Sequence, residues 1–320
     1  MQVKHSIVMI CYNQEQYIKT ALDSVLCEQV KPYEIIIGDD YSTDGTRAIL
    51  EGYKSKYPEI IKLVLNGKNI GIFANLNNVT PKTTGDIISF LSGDDWYRPN
   101  FLESMNKKIA ELKLDPMNSR FILLPHVVNH QPDGTEIILR NDPNMLRHYS
   151  PNGLAMRGKL FKRDVGISRA LFDKYPLFEC DSQDIGPWAD FVHSTMFVQY
   201  YDQVIVMDSE GPVYRTGVGF VSKTGLKALD RSYHAALVRT QTYHLKGELI
   251  LSDVDAKFLE FLIQCWAVRI KPSIIGLLRV FLAAWSVIKI RCLEINSVFK
   301  VLYRMVRQIV SNGLRRRHKL

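Results

Sequence analysis

The sequence predicts an α/β chain built on a mostly parallel sheet flanked by helices, and three observations predict it. Short, nearly unbroken apolar runs alternate with amphipathic helical stretches over the first hundred residues. Polar clusters follow three of those runs directly, and the last quarter of the chain is helical and strongly basic. Apolar strands alternating with helices are the pattern of a parallel sheet covered on both faces.

The elements follow in order. Residues 6–11 (SIVMIC) are expected as a buried strand, too short and too soon polar for a signal peptide. Residues 14–28 carry Tyr17, Ala21, Leu22 and Val25 at helical spacing. Residues 34–38 (EIIIG) form a second strand, 46–57 a second helix closed by Pro58, and 61–65 a third strand. A polar loop (NGKNIG) leads to a helix over 73–79, and 86–91 (DIISFL) is the fourth strand. Strands are expected at 120–128 and 135–139 around a Pro-Asp-Gly turn, and at 204–207. Residues 182–200 are expected to be helical from near Gly186–Pro187, since proline suits a first turn. Residues 209–225 have the Gly-rich composition of a mobile lid loop.

From 226 onward the pattern is helical. Residues 226–245 and 253–268 are amphipathic in the manner of soluble helices. Residues 274–288 form an apolar run broken only by Arg279, short of the roughly 20 residues that span a bilayer. Residues 297–310 put Val298, Val301, Leu302, Met305, Val306 and Ile309 on one face and Lys300, Arg304 and Arg307 on another. Such a helix suits the surface of an anionic membrane. The expected division is 1–225 as the α/β domain, with halves at 1–100 and 100–225, the second carrying the lid. Residues 226–320 are then a helical C-terminal extension that associates peripherally with a membrane.

Charge supports that division. The 320 residues carry +8, but from Arg269 on there are 12 Lys/Arg and one acid, Glu294. The remainder is mildly acidic, which excludes a nucleic-acid-binding body and leaves an anionic surface as the partner of the tail. The five cysteines are scattered with no C-x-x-C, so neither a disulfide framework nor a zinc site is expected, and a reducing compartment is favoured.

Ligands of open α/β sheets bind beyond the carboxyl ends of the strands. Tyr12–Asn13, Asp39–Asp40 and Ser92–Asp95 all fall there. Adjacent carboxylates such as Asp94–Asp95 suit a hard divalent cation that also touches phosphates. Alone, such a pair is more often a turn or a helix cap; the strand before it and the neighbouring clusters reverse that. Asp40 can accept hydrogen bonds from a base or ribose, while Ser42, Thr43 or Asp44 caps the next helix. His126 and His130 lie four apart on a strand-like segment, so they form no helical metal pair.

Four stretches in order, Val8–Asn13, EIIIGDDYSTDGT (34–46), Asn69-Ile70-Gly71 and SFLSGDDWYRP (89–99), resemble the family-2 glycosyltransferases, inverting enzymes with the GT-A fold. The resemblance is close over the first 100 residues and looser to about 225. It implies Tyr12 beside the nucleobase, Asp40 reading the base, Asp94 contacting the diphosphate-sugar or ribose, and Asp95 as ligand of Mn²⁺ or Mg²⁺. The sequence departs from the family at Ser92, where many members carry Asp, and at Leu76, where many carry Arg. Asn75, Asn77 or Lys68 are the replacements for that arginine's contact. The order Asp184, three residues, Trp188 resembles the family's base motif, with Asp181 the alternative to Asp184. Tyr214–Arg215 resembles the Tyr-Arg before a loop that closes over the donor, and Arg215 would pair with the diphosphate.

No Gln-x-x-Arg-Trp, the mark of processive synthases, occurs. The resemblance therefore implies transfer of a single sugar from a nucleotide-sugar donor, by family habit a UDP-sugar, to a glycan or lipid-linked acceptor. The work would serve surface polysaccharide synthesis at the cytoplasmic face of a membrane. A nucleotidyltransferase would carry a basic, Gly-rich loop after the first strand, where this chain has Cys-Tyr-Asn-Gln-Glu. A catalytically inactive sugar-binding or membrane scaffold is the non-enzyme alternative.

Overall fold

A computed structural model describes residues 3–144, 165–174, 188–218, 226–270, 279–280 and 282–284. The expected alternation is present. β1 (His5–Cys11), α1 (Ile18–Leu26), β2 (Glu34–Asp39), α2 (Thr46–Lys56), β3 (Ile61–Leu65), α3 (Ile72–Val79) and β4 (Ile87–Ser92) succeed one another. Then come β5 (Trp96–Tyr97), α4 (Phe101–Glu111), β6 (Phe121–His130), β7 (Glu136–Leu139), β8 (Gly166–Ser168), α5 (Arg169–Lys174), α6 (Ala189–Phe197) and β9 (Gln203–Arg215). α7 (Leu226–Leu245) and α8 (Asp253–Ile270) follow.

One sheet of nine described strands runs β3-β2-β1-β4-β8-β6-β9-β5, with β7 on β6. β3, β2, β1 and β4 are mutually parallel, with Cys11 level with Asp39 and Ile10 level with Ser92. Beyond β4 the sheet is mixed, since β8 runs antiparallel to both β4 and β6. β1, β2 and β4 are buried on both faces, whereas the edge strand β3 is largely open. Ile7, Met9, Ile35 and Ile37 join α1 and α4 in one core through Leu22, Val25, Phe101 and Met105. Alternate positions point the other way. There α3 lies so close to β2 that a Cβ on Gly38 would stand 2.4 Å from Asn75 Oδ1 and 2.9 Å from Val79 Cγ1.

The opposite, amino end of the sheet is tied by Glu34. Its carboxylate accepts from Ser6 Oγ (2.5 Å), from the Thr84 N–H (2.5 Å) and from Lys62 Nζ (2.6 Å). This joins β1, β2, β3 and the approach to β4 at the end remote from the polar rim.

The chain divides into two compact units, residues 1–182 with 189–223, and residues 183–188 with 224–320. The second contains α7, α8 and the aromatic stack Trp188–Tyr233–Trp266, with centroids 4.4 and 4.9 Å apart. Burial pushes the Tyr233 phenol up to about 12. Among the described residues no helix is long and apolar enough to cross a membrane. The amphipathic stretch at 297–310 and the basic terminus lie outside the described residues, as does most of 274–288.

Two expectations need correction. The first helix starts at Ile18 rather than 14, because Gln14–Tyr17 forms a turn in which the Tyr17 and Ile18 N–H groups both donate to the Gln14 carbonyl, at 2.9 Å each. The lid expected from 209 is strand as far as Arg215. Val213 pairs with both Trp96 and Val128, and Gly211 lets β9 cross over α4. A Cβ at Gly211 would meet the Phe101 ring at 2.7 Å and Pro125 at 2.8 Å. Gly211 thus serves close packing, not mobility, while 219–225 of the expected lid lie outside the described residues.

Candidate functional site

The carboxyl ends of β2, β1 and β4 stand side by side, so the residues after them share one rim. The Asp40 N–H donates to the Cys11 carbonyl (3.0 Å) and the Gly93 N–H to the Ile10 carbonyl (3.0 Å). Tyr12, Asp40 and the Ser92–Asp95 turn are thereby fixed to the end of β1. Tyr12 is exposed. Asn13 is left-handed at φ 51°, and its N–H donates to Ser42 Oγ (2.9 Å) while its Oδ1 accepts the Thr43 N–H (2.8 Å). The Gln14 N–H donates to Thr46 Oγ1 and the Glu15 N–H to Asp44 Oδ2. Asp44 Oδ1 also accepts the Thr46 N–H (3.0 Å), the capping role expected for this segment. Burial works against the Asp44 carboxylate, yet these bonds with Thr46 and Glu15 hold it below the usual carboxylate range.

The two acids at the end of β2 differ in task. Asp39 is fully buried and pairs with Arg47 Nε at 2.5 Å, and the same guanidinium donates through Nη2 to the Asn66 carbonyl (2.6 Å). Asp40 is 4% exposed and accepts three bonds, from the Ile70 N–H (2.8 Å), the Gly71 N–H (2.8 Å) and Asn66 Nδ2 (3.1 Å). Its carboxylate therefore clamps the NGKNIG loop to the end of β2. Asn75, expected as a phosphate contact, is 1% exposed. Its Nδ2 donates to the Gly38 carbonyl (2.8 Å), and its Oδ1 accepts from Asn66 (3.1 Å). That is a correction: both ends of the amide are engaged inside the fold, and Asn75 braces α3 against β2. Lys68 and Asn77 are exposed.

Asp94 and Asp95 occupy the turn between β4 and β5, closed by the Asp95 N–H on the Ser92 carbonyl (3.1 Å). Asp95 is buried and Asp94 half-buried. β9 brings Arg215 to them. The Arg215 N–H donates to Asp95 Oδ1 (2.9 Å), and its Nε donates to the Asp94 carbonyl (3.1 Å). The guanidinium carbon lies 4.9 Å from the Tyr17 ring centroid and 4.7 Å from that of Trp96. Trp96 in turn meets His130 edge-on at 5.2 Å. Beyond this, Arg98 bridges Glu136 and Glu210 across β5, β7 and β9.

Among the described residues no group of three or more His, Cys, Asp or Glu gathers as a metal site. Two carboxylates, one of them also holding a backbone N–H, fit a hard cation that takes most of its ligands from substrate phosphates. Asp181 and Asp184 lie outside the described residues. Sequence reasoning brought Tyr12, Asp40, Asp94, Asp95 and Arg215 forward, and the fold sets all of them at the rim or on the strand end beside it. It missed Tyr17, Trp96 and Arg47. Tyr17 reads as one more apolar helical position, and nothing in the local pattern links it to a residue two hundred positions later.

Comparison with known proteins agrees with this geometry. The family model described as Glycosyl transferase family 2 matches residues 6–121. The chain is 38% identical over 110 residues to the putative glycosyltransferase EpsE of Bacillus subtilis, covering 34% of this chain and 38% of EpsE. It is 37% identical over 106 residues to the putative teichuronic acid biosynthesis glycosyltransferase TuaG of the same organism, covering 33% of this chain and 42% of TuaG. The matched stretch is thus less than half the length of either relative. Among solved structures, TarS 1–349 of S. aureus in complex with UDP superposes with TM-score 0.60 at 16% identity, covering 86% of this chain and 75% of that one. A likeness at that identity shows the fold, and the fold is GT-A.

Proposed function

We propose, from the match of residues 6–121 to the family-2 glycosyltransferase model, that the chain moves one sugar from a nucleotide-sugar donor, a UDP-sugar in the first instance, to a hydroxyl of a glycan or lipid-linked acceptor in surface polysaccharide synthesis. The observation that carries this is the joining of Asp94–Asp95 to Arg215 on the rim that also holds Tyr12 and Asp40. A group that binds cations and a group that binds anions are held together without forming an ion pair between their side chains. That arrangement suits a metal-bound diphosphate.

In this reading residues 1–225 are the catalytic domain. Tyr12 offers an exposed ring to the nucleobase. Asp40 fixes the 66–71 loop at the base side, and reads the base through whatever accepting capacity its oxygens retain. A divalent cation, Mn²⁺ or Mg²⁺, held by Asp95 with Asp94 beside it, would offset charge on the departing diphosphate. Arg215 pairs with that diphosphate through its terminal amino groups. The acceptor oxygen forms its bond to the anomeric carbon as the bond to the diphosphate oxygen breaks, which inverts the centre. The acceptor proton passes to Asp184, assigned by its spacing to Trp188, with Asp181 as the alternative.

The region 226–320 is the C-terminal extension, and its basic sequence after Arg269 holds the enzyme on the anionic cytoplasmic face of a membrane. The test of the activity is a screen of UDP-, GDP- and dTDP-sugars with Mn²⁺, reading release of the nucleoside diphosphate. Release from at least one donor, abolished in Asp95→Ala, is expected. Absence of release and of binding for every donor would overturn the reading in favour of a scaffold.

A further inference from the structure

Arg215 is held in an unusual way. An arginine next to two aspartates ordinarily pairs with a carboxylate, since the bidentate fork is the strongest contact available to it. Here the guanidinium gives Nε to the main-chain carbonyl of Asp94 (3.1 Å). Among the described residues no carboxylate pairs with it and its two terminal amino groups have no hydrogen-bond partner. What fixes it instead is a pair of rings from two other elements, Tyr17 at the start of α1 and Trp96 in β5, at 4.9 and 4.7 Å. Both distances lie within the range at which an aromatic face attracts a cation.

The rings are themselves fixed. Tyr17 is held by its N–H on the Gln14 carbonyl (2.9 Å), and the Ala21 N–H donates back to the Tyr17 carbonyl (3.2 Å). Trp96 is paired in register with Val213, two residues before Arg215, and its ring is met edge-on by His130. Two separate stretches of chain, at Tyr17 and at Asp94–Trp96, thus meet on one side chain. Two aromatic contacts and one hydrogen bond restrict a flexible arginine that would otherwise lose most of its rotamer freedom only on binding.

We propose that Tyr17 and Trp96 are positioning residues that hold the Arg215 guanidinium ready for the donor diphosphate. The inference rests on the reading of this site as a nucleotide-sugar site. It adds that the anion-binding arm is preset, through two residues that need not touch the donor themselves.

The experiment measures UDP and uridine binding to the full chain with Mn²⁺, by calorimetry for UDP and saturation-transfer NMR for uridine. The variants are Tyr17→Leu, Trp96→Leu, Tyr17→Phe, Trp96→Phe and Arg215→Ala, each checked by thermal unfolding. Loss of one cation–ring contact predicts UDP affinity lower by roughly three- to tenfold in each Leu variant. Uridine affinity is unchanged, and the Phe variants stay near wild type. Because both residues act through Arg215, adding either Leu substitution to Arg215→Ala should cause no further loss. If Trp96→Leu does not fold, Tyr17→Leu and the two Phe variants carry the comparison. Undiminished UDP affinity in the Leu variants, or an equal further loss on top of Arg215→Ala, overturns the inference while leaving the nucleotide site intact. A wild-type chain that binds none of UDP, GDP or dTDP overturns the reading beneath it, and the inference with it.

Discussion

Replacing Asp40 by asparagine separates two roles that the sequence merges. In the structure Asp40 Oδ1 accepts from Ile70 and Asn66, and Oδ2 from Gly71. Asparagine keeps one acceptor oxygen and puts an N–H₂ where the other stood, facing an N–H. At least one bond to a charged acceptor is lost, and such a bond contributes about 1.5–3 kcal/mol. Ile70 is half-buried and Gly71 exposed, so water recovers part of that. The net expectation is a loss of about 1–2 kcal/mol in Asp40→Asn. Asp40→Ala, which removes all three bonds, should cost about 2–3 kcal/mol. Urea unfolding followed by tryptophan fluorescence measures the stability, and hydrogen exchange at Ile70 and Gly71 localises the change. Donor affinity should fall with the loosening of the loop. Asp40→Asn with stability within about 0.5 kcal/mol of wild type and unchanged exchange at Gly71 would refute the clamp, leaving direct base contact as the only task of Asp40.

Glu28 supplies a pH prediction. It is almost fully buried, and its Oε1 accepts the Phe101 N–H (3.1 Å) at the start of α4. Burial pushes its carboxyl up to about 7, against the opposing pull of the Phe101, Leu102 and Asn100 N–H groups. A carboxyl raised in the fold favours the protonated native state. Its contribution is complete below about 4.5, the ordinary value, and is lost as pH rises through about 7. Glu28→Gln should flatten that stretch of the stability profile and be more stable at pH 8 by on the order of 3 kcal/mol, read from urea midpoints. Gly93→Ala places a Cβ 2.3 Å from Gln14 Oε1 and 2.8 Å from Ile18 Cδ1, so the acid-bearing turn must shift. Turnover should fall at least about tenfold in a diphosphate-release assay, at a stability cost of about 1–3 kcal/mol. Asp184→Asn should leave UDP binding unchanged and reduce transfer by about a hundredfold or more in a single-turnover assay. Deleting residues 273–320 should move the protein from the membrane pellet to the supernatant, and a truncated chain that still pellets would sink the membrane role of the tail.

The first hundred residues were legible because their chemistry is local. A buried parallel strand needs a continuous apolar run, and 6–11 and 34–38 are each bounded by residues that cannot continue one. The polar residues after each run are on a common rim by topology alone, so Tyr12, Asp40 and Asp94–Asp95 could be grouped without coordinates. The reading failed where a residue's role depends on a partner far away in the chain. Glycine at 211 signals a loop by composition, yet it is there because Phe101 and Pro125 leave no room for a Cβ. Asn75 looks like a polar group available to a ligand, yet Gly38 and Asn66 engage it.

The pairing of Asp39 and Asp40 carries the same lesson to the site itself. Both end β2, and both lie within a motif whose acids suggest ligand contact. The structure assigns the first to Arg47, which also holds the Asn66 carbonyl, and the second to Asn66, Ile70 and Gly71. Two adjacent carboxylates therefore fasten one six-residue loop, Asp39 at Asn66 through a guanidinium and Asp40 directly at Asn66, Ile70 and Gly71. At the other side of β1, Asp94 and Asp95 are fastened to Arg215 in a comparable manner, through a carbonyl and a backbone N–H rather than through ion pairing. Asp40 and Asp95 thus act on main-chain N–H groups, while Asp39 acts through its ion pair with Arg47. Substitutions that preserve charge but alter reach, such as Asp to Glu at 39, 40 or 95, should therefore be as damaging as neutralisation, whereas a purely electrostatic site would tolerate them.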